Sequence, residues 1–145
     1  MISGYTGTVY IKVTGNSSSS TGTYSVMYEA GDGNDYKETA VSFPANAWRT
    51  GAISPSTDDI DWYYFQATSA KTYILKWDEY GGSGNYTADI RVSVYKADGS
   101  TPLNDINDID TGYSSSRTFS GYTGTVYIKV TGSSTGTYTI AYQEN

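Results

Sequence analysis

"SGYTGTVYIKVTG" runs from residue 120 to residue 132, and the same thirteen letters run from residue 3 to residue 15. In the C-terminal copy Val126, Ile128 and Val130 alternate with Tyr127 and Lys129. A period of two places the aliphatic side chains on one face of a strand and the others on the opposite face. The match continues past the identical core. "TGTYTIAYQ" (135–143) parallels "TGTYSVMYE" (21–29), after a length difference in the Ser-rich stretch between them. In this second part Tyr138, Ile140 and Tyr142 alternate with Thr139 and Ala141. The unit therefore reads as a β-hairpin turned at "TGSSTG", present twice. A repeat of this kind settles chain organisation before fold. Residues 1–29 read as the C-terminal hairpin of a preceding repeat, and residues 30–145 as one complete module.

The remainder of the module carries more strands. In "IDWYYFQAT" (60–68) Tyr63, Phe65 and Ala67 share one face and Trp62, Tyr64 and Gln66 the other. Both faces are bulky, as in a strand inside a sheet. "KTYILKWD" (71–78) groups Tyr73, Leu75 and Trp77; "DIRVSVYKADGS" (89–100) groups Ile90, Val92 and Val94, then reaches an Asp-Gly turn. "WRTGAIS" (48–54) reads as a short strand. Residues 30–40 and 79–88 read as loops, and 103–117 as an acidic, turn-rich stretch. The expected core is Tyr63, Phe65, Tyr73, Leu75, Val92, Val94, Val126, Ile128, Tyr138 and Ile140. Short strands at this spacing, with no stretch of helical apolar period, predict an all-β sandwich.

Composition narrows the function classes. The net charge is -6, and the nine Lys and Arg residues are scattered singly. Nucleic acid and anionic membrane surfaces both require a basic patch, so neither is an expected partner. No apolar run is long enough to insert into a bilayer. No signal peptide precedes the first strand, and Met1 reads as a start codon placed on an excised fragment. Cysteine and histidine are both absent. This removes thiol nucleophiles, thiolate metal sites and the commonest general base.

Three stretches are together more specific than any one of them. These are "DDIDWYYFQATSAKTYILKW" (58–77), "ADIRVSVYKADGS" (88–100) and "GTVYIKVTGSSTGTYTIAY" (124–142), with an Asn-Asp pair near the module's start. In that order they resemble the bacterial pre-peptidase C-terminal domain family, over residues 32–142. The collagen-binding domains of clostridial collagenases are similar in fold and pattern. The resemblance implies a jelly-roll-like antiparallel β-sandwich and a secreted or cell-surface bacterial protein. It also implies a non-catalytic role appended to proteases and other large extracellular proteins. Some members bind calcium where the N-terminal linker meets the loop before the "DWYxF" strand. The matching ligands here are Asp32, Asn34, Asp35, Asp58 and Asp61. The residue four before Asn34, acidic in those members, is Ala30 in this chain.

Calcium takes six to eight hard oxygen ligands, which clustered Asp and Asn supply. The same residues equally suit turns and solvated charges. A second cluster, Asn104, Asp105, Asn107, Asp108 and Asp110, lacks the central Gly and closing Glu of an EF-hand loop; turns and a solvated edge strand fit it better. "SVYK" (93–96) has a Ser-x-x-Lys spacing, but on a strand Ser93 and Lys96 point to opposite faces. "GGSGN" (81–85) is followed by no helix and is no phosphate cradle. The chain is accordingly expected not to be an enzyme. The aromatics remain. Tyr95 and Tyr127 should face outward, with Trp48, Tyr80, Tyr86 and Tyr113 in or near loops. Such rings could hold an extracellular protein or a polysaccharide. They could equally cap a Tyr-rich core. Self-association through the 2–28 or the 119–143 hairpin is a further expectation, since identical elements exchange between chains at low cost.

Overall fold

A computed structural model of the chain describes residues 10–15, 21–24, 33–54, 59–110 and 112–145. After a 3-10 turn at Lys37–Thr39 come β1 (Val41–Ser42), β2 (Arg49–Ile53), β3 (Ile60–Ala67) and β4 (Thr72–Asp78). They are followed by β5 (Ile90–Tyr95), β6 (Ser115–Ser120), β7 (Gly124–Gly132) and β8 (Gly136–Glu144). Two sheets form, in the orders β1-β3-β7-β5 and β2-β8-β4-β6. Every pairing is antiparallel except β1 with β3. Each successive strand crosses to the other sheet. The result is the expected jelly-roll-like antiparallel β-sandwich.

The core lies between the sheets. All ten residues expected there are buried, joined by Trp77, Ile90, Val130, Phe119 and Tyr142 among others. The aromatics interlock rather than merely fill space. Phe65 stacks on Tyr142 with centroids 4.0 Å apart, and Tyr73 on Phe119 at 5.5 Å. Offset stacks of this kind add attraction beyond the buried area.

The hairpin reading of the repeat is corrected. β7 lies between β3 and β5 in one sheet, and β8 between β2 and β4 in the other. "TGSSTG" is therefore an arch that carries the chain across the core. An arch and a hairpin give the same alternation, because both present one apolar face to the interior. The arch is fixed from outside by the 87–88 loop, whose two amides donate to the Thr137 carbonyl at 3.0 and 2.9 Å. Gly136 permits this approach, since a Cβ there would stand 2.5 Å from the Ala88 nitrogen. In the N-terminal copy, residues 10–15 and 21–24 form no strand. The rest of the 2–28 hairpin lies outside the described residues.

The 103–117 stretch also needs correction. Ser115–Arg117 begin the edge strand β6, whose one large apolar side chain, Phe119, comes too late to reveal the alternation. Upstream, Ile106 and Ile109 dock the segment on β5. Ile109 exchanges backbone bonds with Val92 at 2.9 and 3.0 Å, and Leu103 and Ile106 bond Val94 at 2.8 and 2.9 Å. The segment covers an edge that would otherwise present unpaired backbone groups.

Candidate functional site

The outer face of the first sheet carries an aromatic row. Register places Tyr64, Tyr127 and Tyr95 side by side across β3, β7 and β5, and Trp62 opposite Lys129. The rings touch: Trp62 lies 5.9 Å from Tyr95 and 6.3 Å from Tyr127, and Tyr64 lies 6.3 Å from Tyr127. Lys129 Nζ sits 5.9 Å from the Trp62 ring, and Lys37 Nζ 5.8 Å from the Tyr127 ring. Lys37 also donates to the Asp98 carbonyl at 3.1 Å, and the Tyr95 hydroxyl donates to Asn107 at 3.0 Å. These contacts hold the row rigid and half-buried, flanked by cations within cation–π reach.

The outer face of the second sheet is different. An open cleft of about 930 Å³ is lined by Trp48, Lys76, Asp78, Tyr86, Ser116, Arg117 and Thr139, among others. Its wall is the 79–88 loop, and Asp78 organises that loop. One carboxylate oxygen accepts from the Glu79 and Ser83 amides and the Ser114 hydroxyl. The other accepts from the Ser83 hydroxyl and the Gly84 amide. Burial alone would raise the Asp78 pKa. The bonds from Ser114, Ser83 and Gly84 favour the charged form more strongly and bring it below the usual carboxylate value.

At the start of β3, Asn34 and Asp61 are both buried. The Trp62 amide donates to the Asn34 carbonyl at 2.8 Å, which brings the Asn34–Asp35 pair beside Asp61. The Tyr138 hydroxyl donates to Asp61 and lies 2.7 Å from the Tyr63 hydroxyl. Burial, then the Tyr63 and Asp61 charges, push the Tyr138 pKa well above its ordinary value, so it remains a donor. Asp32 and Asp58 lie outside the described residues. Among the described residues, no cluster of three or more His, Cys, Asp or Glu is placed to hold a metal ion. The second acidic stretch is used in ion pairs, Arg91 bridging Asp108 at 3.0 Å and Asp110 at 2.9 Å.

This architecture is similar to the crystal structure of the pre-peptidase C-terminal domain of a collagenase from Bacillus anthracis. The likeness covers 72% of this chain and 94% of that one, with a TM-score of 0.54 and 18% sequence identity. The chain has the fold of a pre-peptidase C-terminal domain. No protein-family model matches the sequence, and no curated protein matches it.

On this pre-peptidase C-terminal fold the aromatics singled out from sequence divide into three sets. Tyr95 and Tyr127 join the row on the first sheet. Trp48 and Tyr86 line the cleft on the second. Tyr80 and Tyr113 are exposed on loops and line neither. Sequence reading missed Trp62 and Tyr64 as surface groups, although their place opposite Tyr63 and Phe65 was visible in the alternation. It also missed Lys76 and Arg117, which line one cleft because β4 pairs with β6. Among the described residues no helix is long and apolar enough to cross a membrane.

Proposed function

We propose that this chain is a non-catalytic attachment module of a secreted, repeat-containing bacterial protein, and that the aromatic row of the first sheet grips an extended protein ligand. The observation behind this is the contact of Trp62, Tyr64, Tyr95 and Tyr127 on one outer face, with Lys37 and Lys129 beside them. Rigid amphipathic rings lose little conformational entropy on binding and tend to dominate interface energetics. The first ligand to try is collagen, since the structural neighbour is part of a collagenase. Replacing Tyr95 and Tyr127 together with Ala should weaken binding to an immobilised matrix protein by about 30-fold or more, from roughly 2 kcal/mol of lost contact. Equal binding by the folded double variant contradicts the reading.

Calcium at the module's entrance is part of the same proposal. What supports it is the bond from the Trp62 amide, next to Asp61 in sequence, to the Asn34 carbonyl; Asp35, Asp32 and Asp58 are the further oxygen donors that the resemblance supplies. The ion would tie the incoming chain to β3. Calcium at a hundredfold excess over its dissociation constant should stabilise by about 2.7 kcal/mol. An unchanged melting temperature in millimolar calcium against chelator removes it.

Self-association is supported by a separate observation. Ile11 and Val13 are exposed in a segment identical to β7. Such a segment leaves an apolar stripe available for weak contact with a second copy.

A further inference from the structure

The cleft on the second sheet has a chemistry of its own. Trp48 is 59% exposed, beside strands whose outward side chains are mainly hydroxyls, Lys76 and small groups. Tyr86 lines the same cleft. Between them the lining offers Thr139, Ser116 and Lys76, with Arg117 at the β6 edge. Asp78 is the one carboxylate in the lining, and its oxygens are already taken by five hydrogen bonds from the wall.

The cations are not similarly engaged. Lys76 has no ion pair among the described residues. The Arg117 guanidinium lies 5.8 Å from the Trp77 ring centroid. Its Nη1 donates to the Ser115 hydroxyl at 3.2 Å and the Ser116 carbonyl at 2.8 Å. Its Nη2 and Nε have no partner among the described residues. The Ser116 hydroxyl is also without one. Trp77 is 1% exposed and lines the cleft, and its indole N–H has no acceptor among the described residues.

The chain as a whole carries a net charge of -6, yet this cleft holds two cations against one saturated carboxylate. A ligand that fits must bring negative charge for Lys76 and Arg117. It must also bring a hydroxylated ring with an apolar C–H face for Trp48 and the hydroxyl-bearing floor. A neutral glycan lacks the first property and an acidic peptide the second. We infer that this cleft binds an acidic polysaccharide, a chain of uronic-acid rings. One pyranose face would stack on Trp48, and a ring carboxylate would pair with Lys76, with Arg117 adding positive charge from the β6 edge. The site lies on the opposite outer face from the aromatic row and does not depend on that row's proposed role.

The test uses the intact chain with a polygalacturonate oligosaccharide, a neutral glucan oligosaccharide of equal length, and poly-glutamate, compared by calorimetry at low and high salt. Uronate binding should exceed neutral-glucan binding by about tenfold or more and weaken with salt. Trp48→Ala should reduce it about tenfold, and Lys76→Gln should reduce both its affinity and its salt dependence. Both residues are on the surface, and unchanged melting temperatures verify the variants. The Tyr95/Tyr127 double variant should bind uronate normally, which separates this site from the first sheet. Neutral glucan binding as tightly as uronate overturns the inference. So does poly-glutamate binding equally well, Trp48→Ala binding unchanged, or an absence of uronate binding.

Discussion

Two stretches of this chain have one sequence and two environments. In β7, Ile128 and Val130 are fully buried; the corresponding Ile11 and Val13 are 59% and 46% exposed. Tyr138 is fully buried with its hydroxyl between Tyr63 and Asp61, while its counterpart Tyr24 is 73% exposed. Local propensity is the same in both places, so the difference comes from what surrounds them. β7 has β3 on one side and β5 on the other, with a hydrogen-bonded register along each. The alternating pattern specifies which face can be buried. It does not specify that anything will bury it.

The largest effect that can break this comparison is in the core. Ile128→Ala should cost about 2–5 kcal/mol, as buried aliphatic truncations do. Ile11→Ala should lie within about 0.5 kcal/mol of the parent, like other surface changes. Chemical denaturation of the two variants checks both, and similar losses would mean that the copies share the slot.

A smaller effect sharpens the comparison between buried and exposed polar groups. Asp78→Asn should destabilise by about 1–3 kcal/mol, since it leaves donors of the 79–84 wall without their charged acceptor. The folded-state pKa of Asp78 is depressed. Its stabilisation is therefore complete above the unfolded carboxylate value of about 3.9 and is lost as the pH falls from there through the folded value. Denaturation between pH 6 and pH 2 should show a shallower acid loss in the Asn variant than in the parent. Parallel curves contradict the assignment.

The smallest effect concerns the surplus copy. Removing residues 1–29 should change the stability of the module by less than about 0.5 kcal/mol, because the described part of the segment is exposed and unpaired in strands. If the segment joins two copies, light scattering should show a dimer or larger species that becomes a monomer on removal. A monomer before and after removes self-association.

Much of the fold was legible in the sequence because the long strands alternate cleanly. Residues 60–67 and 124–130 show their inward faces without reference to anything else. Topology was less legible. "TGSSTG" serves a hairpin or an arch equally well, and only the partners of β7 and β8 decide between them. β6 was hidden because an edge strand buries few side chains. The candidate sites were legible in part. The outward positions of Tyr95 and Tyr127 follow from period two, but the cleft joins residues from β4, β6, β8 and three loops. That gathering is a property of strand order, which residue type and spacing do not encode.

Amide hydrogen exchange followed by NMR tests the central claim most directly, because it resolves identical segments by position. The amides of Tyr127, Ile128 and Lys129 should exchange only through large-scale unfolding, with protection close to the global stability. Those of Tyr10, Ile11 and Lys12 should exchange at rates close to those of an unstructured peptide. Equal protection in the two copies, or protection of the N-terminal copy alone, would contradict the account.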